Sequence, residues 1–164
     1  MKHILKQFTQ READPHIQFI KYTIAGGVAT VVDMVTFSLC AWLVLSALSP
    51  NEWVVKFLHL RVEPLPDSVR ALHYSVDMTI AFLFSNTTAY IIDVLWVFHP
   101  GRHSRLKEFT LFFAVSFVSM VIGTGLGAAL IKWCSMGAAV AYISKAGTAL
   151  AINYVGRKFF VFSL

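Results

Sequence analysis

Seven polar side chains, Asp33, Asn86, Asp93, Lys145, Asn153, Arg157 and Lys158, interrupt otherwise apolar stretches of this sequence, and their types suit binding rather than bond breaking. Carboxylates and amides are good partners for hydroxyl groups. The planar fork of arginine can donate twice to a phosphodiester while keeping its charge in a partly dry site. Asp33 and Lys145 equally suit a buried structural ion pair, and a proton-carrying role is a third option for Asp33. Arg157 and Lys158 can also serve as helix-end anchors that reach to headgroups. Asp77, near His73, is expected close to the outer headgroups. His99 and His103 stand four apart but lack a third ligand nearby. There are no paired catalytic acids, no nucleophile beside a base and no phosphate loop, so no enzyme, cofactor or metal is expected.

The elements that must position these groups follow from composition. The chain has 164 residues, 57% hydrophobic and 14% charged, with a mean hydropathy of +0.65. A soluble domain cannot carry a surface that apolar, so lipid is the expected solvent. Helices are required, because open strands leave their backbone unsatisfied in lipid. Four apolar stretches of about 20 residues or more suffice to cross a bilayer: roughly 22–45, 74–97, 109–133 and 138–161. The first is too long for a signal peptide and lacks a small-residue cleavage pattern, so it is expected to be retained. In the longest connection, Trp53, Phe57 and Leu60 recur at helical spacing beside Lys56, as in a helix lying on the membrane surface. Pro64 and Pro66 end it, and the short link around Met136 and Gly137 makes the last two spans antiparallel neighbours. The expected fold class is therefore an all-α membrane protein with four transmembrane helices and an interfacial outer-loop helix, forming one domain over 1–164.

Charge sets the orientation. Lys2, Lys6, Arg11, Lys21, Arg102, Arg105, Lys107, Arg157 and Lys158 fall on one side, against Lys56, Arg61, Arg70 and Lys132 on the other. Basic residues resist translocation, so the richer side, with both termini, is expected in the cytoplasm and the protein in a bacterial inner membrane. Trp96 then marks the inner interface, and Trp42 and Trp133 the outer. The net charge of +5 lies in clusters beside apolar runs, which favours anionic headgroups over nucleic acid. Cys40 and Cys134 are expected as packed, inert thiols. At about 1.5 Å per residue, Asp33 and Asn86 lie about 18 Å from the inner edge and Lys145 about 25 Å, a common central slab. Asp33 shares a face with Gly26, Ala29 and Thr30, so it should point into the bundle. Asp93, Asn153, Arg157 and Lys158 gather nearer that edge as an expected vestibule. Gly123 and Gly127 form a G-x-x-x-G pair that suits close helix packing or a homodimer contact.

Placing Phe98 over Phe162 aligns residues 89–98 with 153–162, sharing Tyr, Val and the final Phe, and 19–32 matches 109–122 in apolar character. This predicts two parallel two-helix repeats, about 19–98 and about 109–162. Phe19-Ile-Lys-Tyr-Thr-Ile-Ala-Gly-Gly27 followed by Asp33, and Asn153-Tyr-Val-Gly-Arg-Lys-Phe-Phe-Val-Phe162, resemble the opening and closing signatures of the GtrA-like family. The first-repeat signature, usually Asn-Phe-x-x-Asn-Arg-x-Trp-Val-Phe, is reduced here to Trp96-Val97-Phe98, with Ala89 and Asp93 where Asn is usual, which leaves the second repeat as the phosphate-side candidate. The resemblance implies a four-span protein of cell-surface polysaccharide synthesis that moves polyprenyl-phosphate-linked (undecaprenyl-type) sugars beside a glycosyltransferase partner. On that footing the expected function is a flippase, or part of one, for a lipid-linked monosaccharide. The phosphate enters near Arg157, and the sugar passes Asn86, Asp33 and Lys145. Four short helices enclose little volume, so a homodimer is expected. Two alternatives are a non-transporting anchor that recruits a glycosyltransferase and a proton-coupled exporter of small cations. Lys145 argues against the exporter by repelling a cation.

Overall fold

The computed structural model describes residues 7–10, 13–51, 53–99, 101, 103–134 and 138–162, and every regular element among them is helical. In chain order these are α1 (Pro15–Leu43), α2 (Trp53–Phe57), α3 (Asp67–Ile92), α4 (Arg105–Cys134) and α5 (Ala138–Gly156). Helices α3 and α5 run on into π-helical turns, π1 (Asp93–Val97) and π2 (Arg157–Val161). Among the described residues three stretches, Pro15–Leu43, Ser68–Val97 and Arg105–Leu126, are long and apolar enough to cross a membrane. Val31, Met34, Phe84 and Phe117 on these helices are each more than half exposed, a surface suited to lipid and not to water. The expected fourth span coincides with α5 and π2. The link around Met136 and Gly137 and the side chain of Lys145 lie outside the described residues.

Local chemistry accounts for the helix limits. Helix α1 starts seven residues before the expected span because Pro15 is suited to a first helical position. The preceding Asp14 is held by Gln7, which donates to its carboxylate at 2.9 Å and accepts from its backbone N–H at 3.1 Å. The ends at Val97 and Val161 fall where the apolar pattern predicts. Each is closed by a π-type hydrogen bond, Phe98 N–H to Asp93 O and Phe162 N–H to Arg157 O, both 2.8 Å. Helix α2 forms in the long connection between α1 and α3 and includes Trp53 and Phe57, but ends before Leu60.

The chain divides into two compact units, one of residues through Ala25 with those from Tyr90 onward, the other Gly26–Ala89. In the larger, α4 and α5 pack antiparallel. Asn153 Nδ2 donates to Ser119 Oγ at 3.0 Å, and Ser119 Oγ to Ala149 O at 3.2 Å. Gly156 lets the helices approach so closely that a β-carbon there would stand 2.6 Å from Val115 Cγ1. Its buried core is rich in aromatic and branched groups, Phe98, Phe112, Val97, Val161 and Phe162. The smaller unit pairs α1 and α3, with Phe37 against Tyr74 at 5.5 Å, and is lined by small side chains such as Ala29, Cys40, Ala41 and Ala81. Its loop is pinned by Arg70 Nε donating to Ala47 O at 3.2 Å. Both cysteines are free thiols. Cys40 is buried as expected, but Cys134, near the end of α4, is exposed.

Candidate functional site

Arg157 opens π2 and Asp93 opens π1, and the two meet. Arg157 Nη1 lies 3.2 Å from Asp93 Oδ2, with the arginine side chain 7% exposed and the aspartate 0%. Arg157 Nη2 donates to Ser116 Oγ at 3.0 Å. The guanidinium carbon sits 3.7 Å from the centre of the Phe112 ring and 5.5 Å from that of Tyr22, so aromatic faces flank the charge. The fork is only partly used. Arg157 Nε and Asp93 Oδ1 are buried without a hydrogen-bond partner among the described residues, and so is Asn153 Oδ1. A two-pronged pair would engage both ends. What remains is a dry, positively charged donor with an uncommitted N–H, beside an uncommitted carboxylate oxygen of Asp93, which is chemistry for an oxyanion carrying hydroxyl groups.

Rings surround this pair in matched contacts. Phe98 stacks on Phe162 at 5.0 Å and 14°. Phe19 meets Tyr154 edge-on at 5.1 Å, as Phe109 meets Tyr90 at 5.2 Å. Tyr22 lies 5.3 Å from Tyr154 and Phe112 lies 5.4 Å from Tyr90. The arrangement fixes the helix ends on which Asp93 and Arg157 stand.

A second cluster clasps the start of the chain. Lys21, counted among the basic residues that set orientation, is 0% exposed. Its Nζ donates to Gln7 O at 3.2 Å and Gln10 O at 2.6 Å and lies 5.3 Å from the Trp96 ring centre. Trp96 Nε1 donates to Phe8 O at 2.6 Å. Both residues therefore bind backbone carbonyls of the leading turn. A lysine just before an apolar run reads as a topology signal, so this role is invisible to spacing alone. Glu108, also 0% exposed, accepts from Gly101 N at 2.9 Å and from Arg105 Nη1 at 2.9 Å, fixing the loop before α4.

Of the seven candidate residues, the larger unit brings Asp93 and Arg157 into contact as a buried, one-pronged pair. Asn153 is committed through its amide nitrogen to Ser119. Lys158 turns to its own helix, with Nζ 3.3 Å from Tyr154 Oη. In the smaller unit Asp33 is half-buried and accepts from Ser85 Oγ at 2.9 Å, and the neighbouring Asn86 is buried. A β-carbon at Gly26 would meet nothing within 4 Å, so that glycine does not serve close packing. Lys145 stands on α5 with its side chain outside the described residues. Asp77 departs most from expectation. It is 0% exposed, and neither carboxylate oxygen has a hydrogen-bond partner among the described residues.

Comparison with known proteins agrees with this helical organisation. The chain is 27% identical over 146 residues to the cell wall teichoic acid glycosylation protein GtcA of Listeria monocytogenes, covering 87% of this chain and 83% of that one. It is 33% identical over 92 residues to the uncharacterized membrane protein YwcD of Bacillus subtilis (strain 168), covering 54% of this chain and 72% of that protein. No solved structure gives a significant match. The model of the GtrA/DPMS transmembrane domain matches residues 21–162, nearly the whole chain. This multi-pass membrane protein belongs to the GtrA/DPMS transmembrane-domain family.

Proposed function

We propose that this protein translocates a polyprenyl-phosphate-linked monosaccharide across the inner membrane for cell-surface glycosylation, and that Arg157 receives the lipid phosphate. The observation that carries the reading is the guanidinium itself. It is buried among rings at a helix end, with one prong on Asp93 and Nε uncommitted. An anion that brings its own acceptors and leaves its chain in lipid fits that chemistry better than a soluble ligand would. The glycosylation role named for the Listeria relative supports the same substrate class. Asp33, Asn86 and Lys145 then contact sugar hydroxyls along the path, and Asp93, Asn153 and Lys158 stay at the phosphate side.

The architecture that goes with this reading has four spans, with α5 and π2 as the fourth, both termini cytoplasmic, and two parallel repeats. The matched ring contacts support the duplication. Phe98 and Phe162, Tyr90 and Tyr154, and Asp93 and Arg157 occupy equivalent places under the repeat alignment. In a background without Cys40 and Cys134, Ser104→Cys should be labelled by an impermeant reagent only from the cytoplasm and Asn51→Cys only from outside. Labelling of Ser104→Cys in intact cells contradicts the orientation.

Function is tested by reconstituting the purified chain in liposomes with short-chain polyprenyl-phosphate monosaccharides and following their appearance in the opposite leaflet. Translocation by the wild type, lost in Arg157→Gln, is the expected result. Binding without movement, for every sugar tried, would instead favour a non-transporting subunit that presents lipid to a glycosyltransferase.

A further inference from the structure

We infer that Asp93 is a placeholder anion: it occupies Arg157 while the site is empty and is displaced, charge for charge, when a phosphate group binds. The inference rests on reading Arg157 as the phosphate ligand. Three observations carry it. The pair is one-pronged, with Arg157 Nη1 on Asp93 Oδ2 at 3.2 Å, whereas Arg157 Nε and Asp93 Oδ1 have no partners among the described residues. A structural pair in a dry site gains most by closing both contacts, and this one leaves one open on each side. The guanidinium has supports that do not depend on the carboxylate, namely Ser116 Oγ at 3.0 Å and the Phe112 face at 3.7 Å, so it keeps its place when Asp93 leaves. Asp93 also opens a π-helical turn, closed by Phe98 N–H on its own carbonyl at 2.8 Å. Tightening such a turn to α-helical bonding rotates the side chains on one side of it by about 100° relative to the other, which gives the carboxylate a way out.

A phosphodiester carries one negative charge, as does the carboxylate, so the exchange leaves Arg157 neutralised throughout. Asp93 keeps the arginine from standing uncompensated before the lipid arrives and competes with the phosphate for release afterwards. It is thus a competitor of the headgroup and not a contact for it.

The probe for the purified full-length protein in detergent is farnesyl phosphate as its methyl ester, a phosphodiester with one negative charge (farnesyl phosphate below), with farnesol as the uncharged control. Asp93→Asn keeps the shape and a neutral acceptor but removes the competing charge. Its affinity for farnesyl phosphate should rise by about tenfold or more, the equivalent of one charge-assisted hydrogen bond. Farnesol binding should not change, and Arg157→Gln should bind farnesyl phosphate weakly. If Asp93→Asn binds more weakly than wild type, Asp93 positions Arg157 and the placeholder role is wrong. If affinity is unchanged, there is no competition and it is equally wrong. If instead Arg157→Gln binds like wild type, the phosphate site lies elsewhere and the underlying reading fails first. A wild-type measurement covers the case in which Asp93→Asn does not fold. The 13Cγ resonance of Asp93 should move on adding farnesyl phosphate and stay with farnesol, and a resonance that stays with both overturns the inference.

Discussion

In the larger unit every buried charge has a partner: Arg157 reaches across the fold to Asp93 and Ser116, Lys21 holds the carbonyls of Gln7 and Gln10, and Glu108 holds the nearby Gly101 and Arg105. In the smaller unit Asp33 meets the hydroxyl of Ser85, and Asp77 is buried with neither oxygen hydrogen-bonded among the described residues. The cores differ in step. Stacked phenylalanines and tyrosines fill the first and mostly alanines the second. A paired charge among large, interlocked rings holds one geometry, and its loss is felt throughout the unit. A buried carboxylate with no hydrogen bond among the described residues is desolvated without that return and contributes little to the fold.

The largest effect that would sharpen this contrast comes from the buried pair. Removing Asp93 or Arg157 alone strands the other charge, and each of Asp93→Ala and Arg157→Leu should lose about 3 to 5 kcal/mol, whereas the double replacement should lose far less than the sum. Thermal unfolding in detergent measures it, and simple additivity would mean that the charges are not coupled. Next comes the close approach of α4 and α5. A methyl at Gly156 collides with Val115, so Gly156→Ala should cost about 1 to 3 kcal/mol from overpacking, less about 1 kcal/mol returned by helix propensity. Val115→Ala in the same chain should restore stability, and failure to do so would place the strain elsewhere. In the smaller unit Ser85→Ala removes one hydrogen bond to Asp33 and should cost about 1 kcal/mol. The smallest effect belongs to Asp77. Because its oxygens have no hydrogen-bond partner among the described residues, Asp77→Ala should leave the melting temperature unchanged or raise it. A loss comparable to that of Asp93→Ala would erase the distinction between the units.

The sequence carries the helices well and the pairings poorly, for a physical reason. The apolar pattern marks where α3 with π1 and α5 with π2 end, at Val97 and Val161, but not where α1 and α3 begin, since each helix starts ahead of its apolar stretch. The repeat alignment puts Asp93 and Arg157 in register, yet spacing cannot tell whether equivalent residues face each other. That depends on how the helix ends cross, and here Phe98 stacked on Phe162 brings them together. The π-turns are silent in sequence, since one extra residue in a turn is decided by packing and not by propensity. Lys21 and Trp96 look like an anchor and an interface marker at their positions, and their hydrogen bonds to the leading turn emerge only when the chain returns over them.

The central claim is that Arg157 binds the phosphate of a lipid-linked sugar, and affinity measured on three proteins tests it most directly. Wild type, Arg157→Lys and Arg157→Gln, each purified and shown to be folded, are titrated with a short-chain polyprenyl-phosphate monosaccharide. Gln loses both charge and fork, so affinity should fall by about 10 to 150 fold, with Lys, which keeps charge alone, in between. Near-equal affinity for all three would contradict the account and leave Arg157 as a structural partner of Asp93.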